Sequence, residues 1–167
     1  PNTVWVYTSI AADYDGASML PHFVKHYIGL GVKPENFLVV VNHNPEKADP
    51  DSGVDPVQNV VSVLERYNIT YRLWLDQYSS EKLMKIRYEL LNKAAWDDWI
   101  IHADSDELHD YGVKSVVKYL AHAESEGVNE IKGTLWDRVS KTGELTPILP
   151  DGDIFQQYPL KCQVIKN

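Results

Sequence analysis

Two aspartates that stand two positions apart, Asp104 and Asp106, could bind a metal ion. They follow the apolar run 99–103 in the segment WIIHADSDE. Carboxylate oxygens are the ligands that Mg²⁺ and Mn²⁺ prefer, and these ions often complete their shell with phosphate oxygens. Two adjacent carboxylates without a cation would repel each other. The spacing therefore predicts a site for a divalent cation with Asp104 and Asp106 as its ligands.

The same acidic segment has other interpretations. An Asp-Ser-Asp-Glu turn can simply cap the helix that follows it, and this alternative stays open. A calcium-binding EF-hand loop that began at Asp104 would need glycine in place of His109 and glutamate in place of Ser115, so that loop is excluded. The chain has neither an HExxH nor a His-x₃-His spacing, which argues against zinc. His102 and His109 are therefore expected to be structural or exposed.

Strand and helix patterns alternate along the chain and predict the elements that position this segment. Short β-rich runs indicate strands over 3–8, 37–41, 69–75, 99–103 and 129–136. Amphipathic stretches indicate helices over 16–30, 57–67, 80–95 and 113–123. This alternation predicts one α/β domain over 1–167, with a mainly parallel sheet and helices on both faces. Ligands of such sheets lie beyond the carboxyl ends of the strands, so the acidic turn is expected at the binding rim.

Composition and charge limit the classes of protein that the chain can belong to. Its 167 residues include 16 basic and 24 acidic side chains, which give a formal net charge of −8. This charge argues against a protein that binds the nucleic-acid backbone, which would need a basic surface. Cys162 is the only cysteine, so a disulfide within the chain and a Cys-rich zinc site are excluded. No apolar run is long enough to span a membrane and no leader is visible, so we expect a cytoplasmic location.

Three stretches of the chain resemble the GT-A glycosyltransferases, particularly the family 2-like group. The segment WIIHADSDEL is similar to the DxD motif of that group. The opening VYTSIAADYDGASMLPHFVKHYIGLGVKPENFLVVVNHN is similar to the start of these enzymes. Downstream, WDRVSKTGELTPI and QQYPLKC resemble the "DR-x-x-x-x-G-x-L" and "Q-[FY]-P-L" stretch that follows the DxD motif. A chlorovirus-type glycosyltransferase is a closer comparison, and a viral chain of this kind is expected in the host-cell cytoplasm.

The resemblance implies a fold, a reaction and a set of donor-binding residues. The implied fold is GT-A, which is Rossmann-like, and the implied cofactor is Mn²⁺ or Mg²⁺. The implied partners are a nucleotide-sugar donor, with a UDP-sugar favoured, and a glycan or another hydroxyl acceptor. Carried over to this sequence, Asp106 binds the metal and Asp104 contacts the ribose or the metal. The other donor contacts that the resemblance implies are Thr8, Ser9, Asn42, Arg87 and Ser105. The alternative for Arg87 is a solvated helix cation paired with an acid, and Lys82 is a weaker candidate with the same alternative.

An inverting transfer also needs a carboxylate that deprotonates the acceptor hydroxyl. Asp137 is the first candidate because it matches the family-like "DR" pair, and Asp151 and Asp153 follow it in a loop rich in proline and glycine. Arg138 could bind phosphate or acceptor. The family continues beyond the "YPL" element to a further metal- or phosphate-binding residue, often a histidine. This sequence ends at Asn167, so we expect that part of the site to be cut off, disordered or supplied by another domain. Candidates for stacking on a sugar are Trp136, Tyr14 and Tyr158.

Other functions stay open beside this one. A sugar-nucleotidyltransferase would need a glycine-rich, basic loop after the first strand to hold a triphosphate. The loop over 10–16 is acidic and contains neither lysine nor arginine, which counts against that enzyme. A non-catalytic module that binds carbohydrate or metal is a third possibility, and an α/β interaction domain whose acidic turn only caps a helix is a fourth.

Overall fold

Four parallel strands form the central sheet. The computed structural model describes residues 2–12, 16–47, 53 and 55–163. The strands are β1 (Val4–Ala11), β2 (Phe37–His43), β3 (Tyr71–Leu75) and β4 (Trp99–His102), and they lie in the order β3-β2-β1-β4. Every neighbouring pair is parallel. The predicted α/β class with a parallel sheet is therefore confirmed, and it is compatible with a Rossmann-like fold.

Helices cover both faces of this sheet, as predicted. They are α1 (Gly16–Gly29), α2 (Pro56–Arg66), α3 (Ser80–Leu91) and α4 (Val116–Ser125). Successive side chains of a strand point to opposite faces, so β1 serves two cores. Val6 and Ile10 belong to the larger core with α1, α2 and α4, whereas Tyr7 belongs to a smaller core with Ile86 and Leu90 of α3.

The strand order changes direction between β1 and β4. The chain moves outward from β1 through β2 to β3, and α3 then carries it back across the sheet to β4 on the other side of β1. Crossovers between parallel strands are right-handed. Because the crossover through α3 runs in the opposite direction along the sheet, α3 lies on the opposite face from α1 and α2. In open parallel sheets the ligand crevice lies outside the carboxyl ends of the strands at such a reversal. Here that position is shared by the ends of β1 and β4.

Local signals set the ends of the helices. Asp55, Ser79 and Ser115 accept hydrogen bonds from the first turns of α2, α3 and α4. Because Ser115 is the cap, α4 begins at Val116 and the predicted start at 113 is three residues early. The predicted end of α3 at 95 is also wrong, since the helix ends at Leu91.

The segment after α4 forms a small separate sheet. Strands β5 (Trp136–Val139) and β6 (Leu160–Gln163) pair antiparallel, with the short helix α5 (Ile154–Gln157) before β6. The predicted strand over 129–136 is wrong, because residues 129–135 have no strand structure. The hydrogen bond from His22 Nε2–H to the Leu149 carbonyl, 2.8 Å long, attaches this segment to α1.

No helix among the described residues combines the length and the apolar character needed to cross a bilayer.

Candidate functional site

The acidic turn directly follows β4 at the carboxyl edge of the sheet. The backbone N–H of Glu107 donates to the carbonyl of Asp104 at 2.9 Å and closes a four-residue turn. The Glu107 carboxylate accepts from the Asp104 N–H at 3.1 Å. Asp104 and Asp106 are exposed, and Ser105 between them is half-buried. The Glu107 carboxylate therefore stabilises the turn. The carboxylates of Asp104 and Asp106 accept no hydrogen bond within the described residues.

Side chains of helix α1 form hydrogen bonds with the backbone at the end of this turn. The buried hydroxyl of Tyr27 donates to the Glu107 carbonyl at 3.1 Å and accepts from the His109 N–H at 3.3 Å. The Nε2–H of His26 donates to the His109 carbonyl at 2.9 Å, and burial lowers the pKa of His26. His109 itself lies 3.6 Å from the Glu107 carboxylate. These contacts fix the position of the backbone at Glu107 and His109, where the chain leaves the turn.

A group of charged and aromatic side chains lies on the α3 side of β1 and β4. The Arg87 guanidinium of α3 lies 5.3 Å from the centre of the Tyr7 ring. The same ring is 5.3 Å from the His102 imidazole at the end of β4. Burial raises the pKa of Tyr7, the positive charge of Arg87 opposes that rise, and the Asp104 carboxylate adds to it. Arg87 and Asp104 therefore act electrostatically on the same phenol, at the strand reversal.

The charges of Arg87 and Asp104 also act on the imidazole of His102. Its pKa is lowered, first by burial and then by the charge of Arg87, while the Asp104 and Glu107 carboxylates oppose the decrease. Near neutral pH the ring is therefore predominantly uncharged, because the ordinary pKa of histidine is already about 6.5.

The predicted donor contacts on β1 and β2 do not all reach this group. Thr8 is completely buried and points to the face of α1, opposite Tyr7 and Ser9. Ser9 is half-buried on the α3 side. Asn42 is buried, and its Nδ2–H₂ group donates to the carbonyls of Trp74 and Asp76, both at 3.0 Å. Asn42 thus joins the ends of β2 and β3, and its amide protons are already in use.

A groove lies between β3 and α3 at the edge of this site. It has a volume of about 550 Å³, and Trp74, Lys82 and Ile86 are among its lining residues. Lys82 forms a 2.6 Å ion pair with Asp76 and lies 5.4 Å from the centre of the Trp74 ring. The hydrogen bond from Lys82 lowers the pKa of Asp76. Since Lys82 is engaged in this way, Arg87 is the better candidate to hold a phosphate.

The carboxylates predicted as the general base lie in the segment after α4. Asp137 is exposed in the middle of β5, not at the end of a strand of the central sheet. Asp153 caps α5 and accepts from the N–H groups of Phe155 and Gln156. Asp151 lies 3.9 Å from Lys25 of α1. Within the described residues, no hydrogen bond or ion pair joins any of the three to the acidic turn.

Two further residues of that segment have local roles. Arg138 donates to the Tyr158 carbonyl at 3.2 Å and its guanidinium lies 4.5 Å from the centre of the Phe155 ring. The Tyr158 hydroxyl donates to the Thr146 carbonyl. Trp136 is exposed at the start of β5, and Tyr14 lies outside the described residues.

The donor set at the acidic turn suits a hard cation that brings further ligands with it. Asp104 and Asp106 supply only oxygen atoms, which fits Mg²⁺ or Mn²⁺. The described part of the chain contains no cluster of three or more His, Cys, Asp or Glu side chains that could hold an ion. A cation held by these two carboxylates would need further ligands from outside the described residues.

Sequence reasoning missed Tyr7 and Tyr27 as parts of the site. Tyr27 lies in a predicted helix, and its hydroxyl pairs with the backbone of Glu107 and His109, which are far from it in the chain. Tyr7 lies in the predicted strand over 3–8, which ends at the predicted binding rim, and this position was the signal available for it. In comparisons with known proteins, no family model, no curated protein and no solved structure matches this chain significantly.

Proposed function

We propose that the protein is a metal-dependent glycosyltransferase that uses a nucleoside-diphosphate sugar, with a UDP-sugar favoured, and a glycan or other hydroxyl acceptor. One observation carries the proposal. The acidic turn 104–107 lies at the carboxyl end of β4, beside the strand reversal, and presents two exposed carboxylates, of which Asp104 acts on the same phenol as Arg87. The similarity of the sequence segments to GT-A enzymes gives this arrangement its most specific interpretation.

The chemistry of sugar transfer matches these groups. Breaking the bond between the sugar carbon and the diphosphate oxygen leaves two phosphates with increasing negative charge. Asp104 and Asp106 would hold Mg²⁺ or Mn²⁺, which would supply charge stabilisation for such a leaving group. Arg87 binds the diphosphate from the α3 side, and Ser9 near the end of β1 and Ser105 in the acidic turn line the donor position. Asn42 stabilises the carboxyl edge of the sheet by its hydrogen bond to the backbone of β3. The buried side chain of Thr8 stabilises it by packing.

Asp137 keeps the role of general base in this proposal. Its carboxylate is exposed and accepts no hydrogen bond from the described residues, so it is available to take a proton from an acceptor hydroxyl. Asp153 is a weaker candidate because two backbone N–H groups of α5 already bind its carboxylate.

Thermal melting with nucleotides tests the proposal. The protein is melted with UDP, GDP, dTDP or CDP, each with Mn²⁺ or with EDTA. A ligand at a hundred times its Kd stabilises the folded state by about 2.7 kcal/mol. For a chain of this size that shift is roughly 5–10 °C. We expect one nucleotide to give this shift with Mn²⁺ and a much smaller shift with EDTA.

Matched variants locate the site. In Asp106→Asn a hundredfold loss of affinity reduces the stabilisation at the same ligand concentration to about 0.4 kcal/mol. Asp97→Asn is the control, because Asp97 is an exposed aspartate just before β4, at the opposite edge of the sheet. A shift that survives in Asp106→Asn, or no shift with any nucleotide, contradicts the proposal. Binding without sugar transfer in the presence of UDP-sugars indicates a non-catalytic module.

A further inference from the structure

The hydroxyl of Tyr7 is a buried polar group without a partner. The side chain is 2% exposed, and no hydrogen-bond partner for its hydroxyl exists within the described residues. Leaving a buried hydroxyl unpaired is unfavourable, so folded proteins rarely tolerate one without a reason. Phenylalanine would fill the same space between β1 and α3 without this penalty. The hydroxyl therefore needs an explanation beyond packing.

The surroundings of this hydroxyl suit a negatively charged ligand. Arg87 is half-buried over the Tyr7 ring and has no carboxylate at ion-pair distance within the described residues. Burial of a charge without a partner is costly, so an anion beside the partly buried guanidinium would be favourable. Tyr78, which is 59% exposed, also acts electrostatically on the Tyr7 phenol and adds to the rise of its pKa.

We propose that Tyr7 is a ligand-contact residue, whose hydroxyl donates a hydrogen bond to a phosphate oxygen that Arg87 binds at the same time. The inference rests on the proposed function and adds a residue to its donor site. The Arg87 guanidinium lies over the ring of Tyr7, 5.3 Å from its centre. A phosphate oxygen held by Arg87 would give the Tyr7 hydroxyl the partner that it lacks.

The test compares Tyr7→Phe with the unaltered protein. This change keeps the ring under Arg87 and the packing against α3, and it removes only the hydroxyl. The affinities for UDP and for inorganic pyrophosphate are measured by calorimetry, each with Mn²⁺. Because a hydrogen bond to a charged group is lost, we expect both ligands to bind about ten- to a hundredfold more weakly. The unliganded variant should melt at the same temperature or higher, because it no longer buries an unpaired hydroxyl.

The control is Tyr88→Phe, in which a largely exposed phenol of α3 is altered in the same way. It should leave both affinities unchanged. Equal binding by Tyr7→Phe and the unaltered protein overturns the inference but leaves the proposed function standing. A lower melting temperature of unliganded Tyr7→Phe also overturns it, because the hydroxyl would then have a structural partner. If the unaltered protein binds neither UDP nor pyrophosphate, the proposed function fails and the inference fails with it.

Discussion

Asp98 joins the beginning of β4 to the beginning of β1. One carboxylate oxygen accepts from the Thr3 N–H at 2.7 Å. The other accepts from the Trp5 indole N–H at 2.8 Å and from the Ala95 N–H at 2.9 Å. Burial favours the neutral acid, but the hydrogen bonds from Trp5, Ala95 and Thr3 outweigh it and lower the pKa of Asp98 below its ordinary value of 3.8.

Asp98→Asn should destabilise the protein by about 2 kcal/mol at pH 7, because three donors lose a charged acceptor. The pKa of Asp98 is lower in the folded state, so this stabilisation is complete above the unfolded pKa of about 4 and disappears as the pH falls through the folded pKa. Urea unfolding at pH 7 and pH 3 measures the difference between the two proteins. Asp97→Asn, the exposed neighbour, should show no such difference. A gap between Asp98→Asn and the unaltered protein that stays constant with pH would contradict this account.

Gly31 ends α1 because its backbone has a positive φ of 97°. The Val32 N–H donates to the Tyr27 carbonyl and the Gly31 N–H donates to the Ile28 carbonyl, which is the Schellman arrangement of a helix end. Gly31→Ala should cost roughly 1–2 kcal/mol, since a side chain disfavours this left-handed backbone. Gly29→Ala is the matched control. Gly29 is the last residue of α1, and a Cβ added there meets no atom within 4 Å, so this change should stabilise the helix by up to about 1 kcal/mol. Urea midpoints that move in the same direction for both variants would refute the assignment.

At the scale of elements, α1 and the acidic turn should behave as a unit. Tyr27→Phe removes the hydroxyl that binds the backbone on both sides of Leu108, so it should destabilise the protein by about 1–3 kcal/mol. We also expect a smaller Mn²⁺-dependent nucleotide shift, because the turn is then held less firmly. Tyr119→Phe is the control, since the Tyr119 hydroxyl makes no hydrogen bond within the described residues. Thermal melting with UDP and Mn²⁺ measures both effects. A full nucleotide shift in Tyr27→Phe would show that the turn holds its shape without α1.

The alternation of apolar patterns was sufficient to predict the four central strands and their helices. It also predicted that the acidic turn lies at the rim, because parallel strands must all end at the same edge. It could not assign Thr8 and Tyr7 to their faces, since β1 is buried on both sides and the run VWVYTSIA shows no polar alternation. The strand over 129–136 was wrong for a related reason. The partner of β5 is β6, more than twenty residues later, and local patterns contain no information about that pairing.

At the scale of the whole molecule, the two sheets differ in how much surface they bury. Strands β1 and β2 each pair on both sides and contribute to the two cores on opposite faces of the sheet. By contrast, Ile154 is the only apolar side chain among residues 129–163 that is buried. A two-stranded sheet with so little apolar support is marginally stable on its own. The molecule therefore combines a cooperative core with a weakly attached second unit.

Native-state hydrogen exchange should reveal this difference. Amides of β1 and β2 should exchange only through global unfolding, with the full unfolding free energy and a strong dependence on urea. Amides of β5 and β6 should exchange through a smaller opening, with a lower free energy and a weak dependence on urea. His22→Ala, which removes the hydrogen bond to Leu149, should lower the free energy of the β5–β6 opening further and leave β1 unchanged relative to global stability.

If β5 and β1 exchange with the same free energy, the second unit unfolds only with the core. In that case Asp137 is held as rigidly as the acidic turn. If the opening is separate, Asp137 lies on an element that can move relative to the acidic turn.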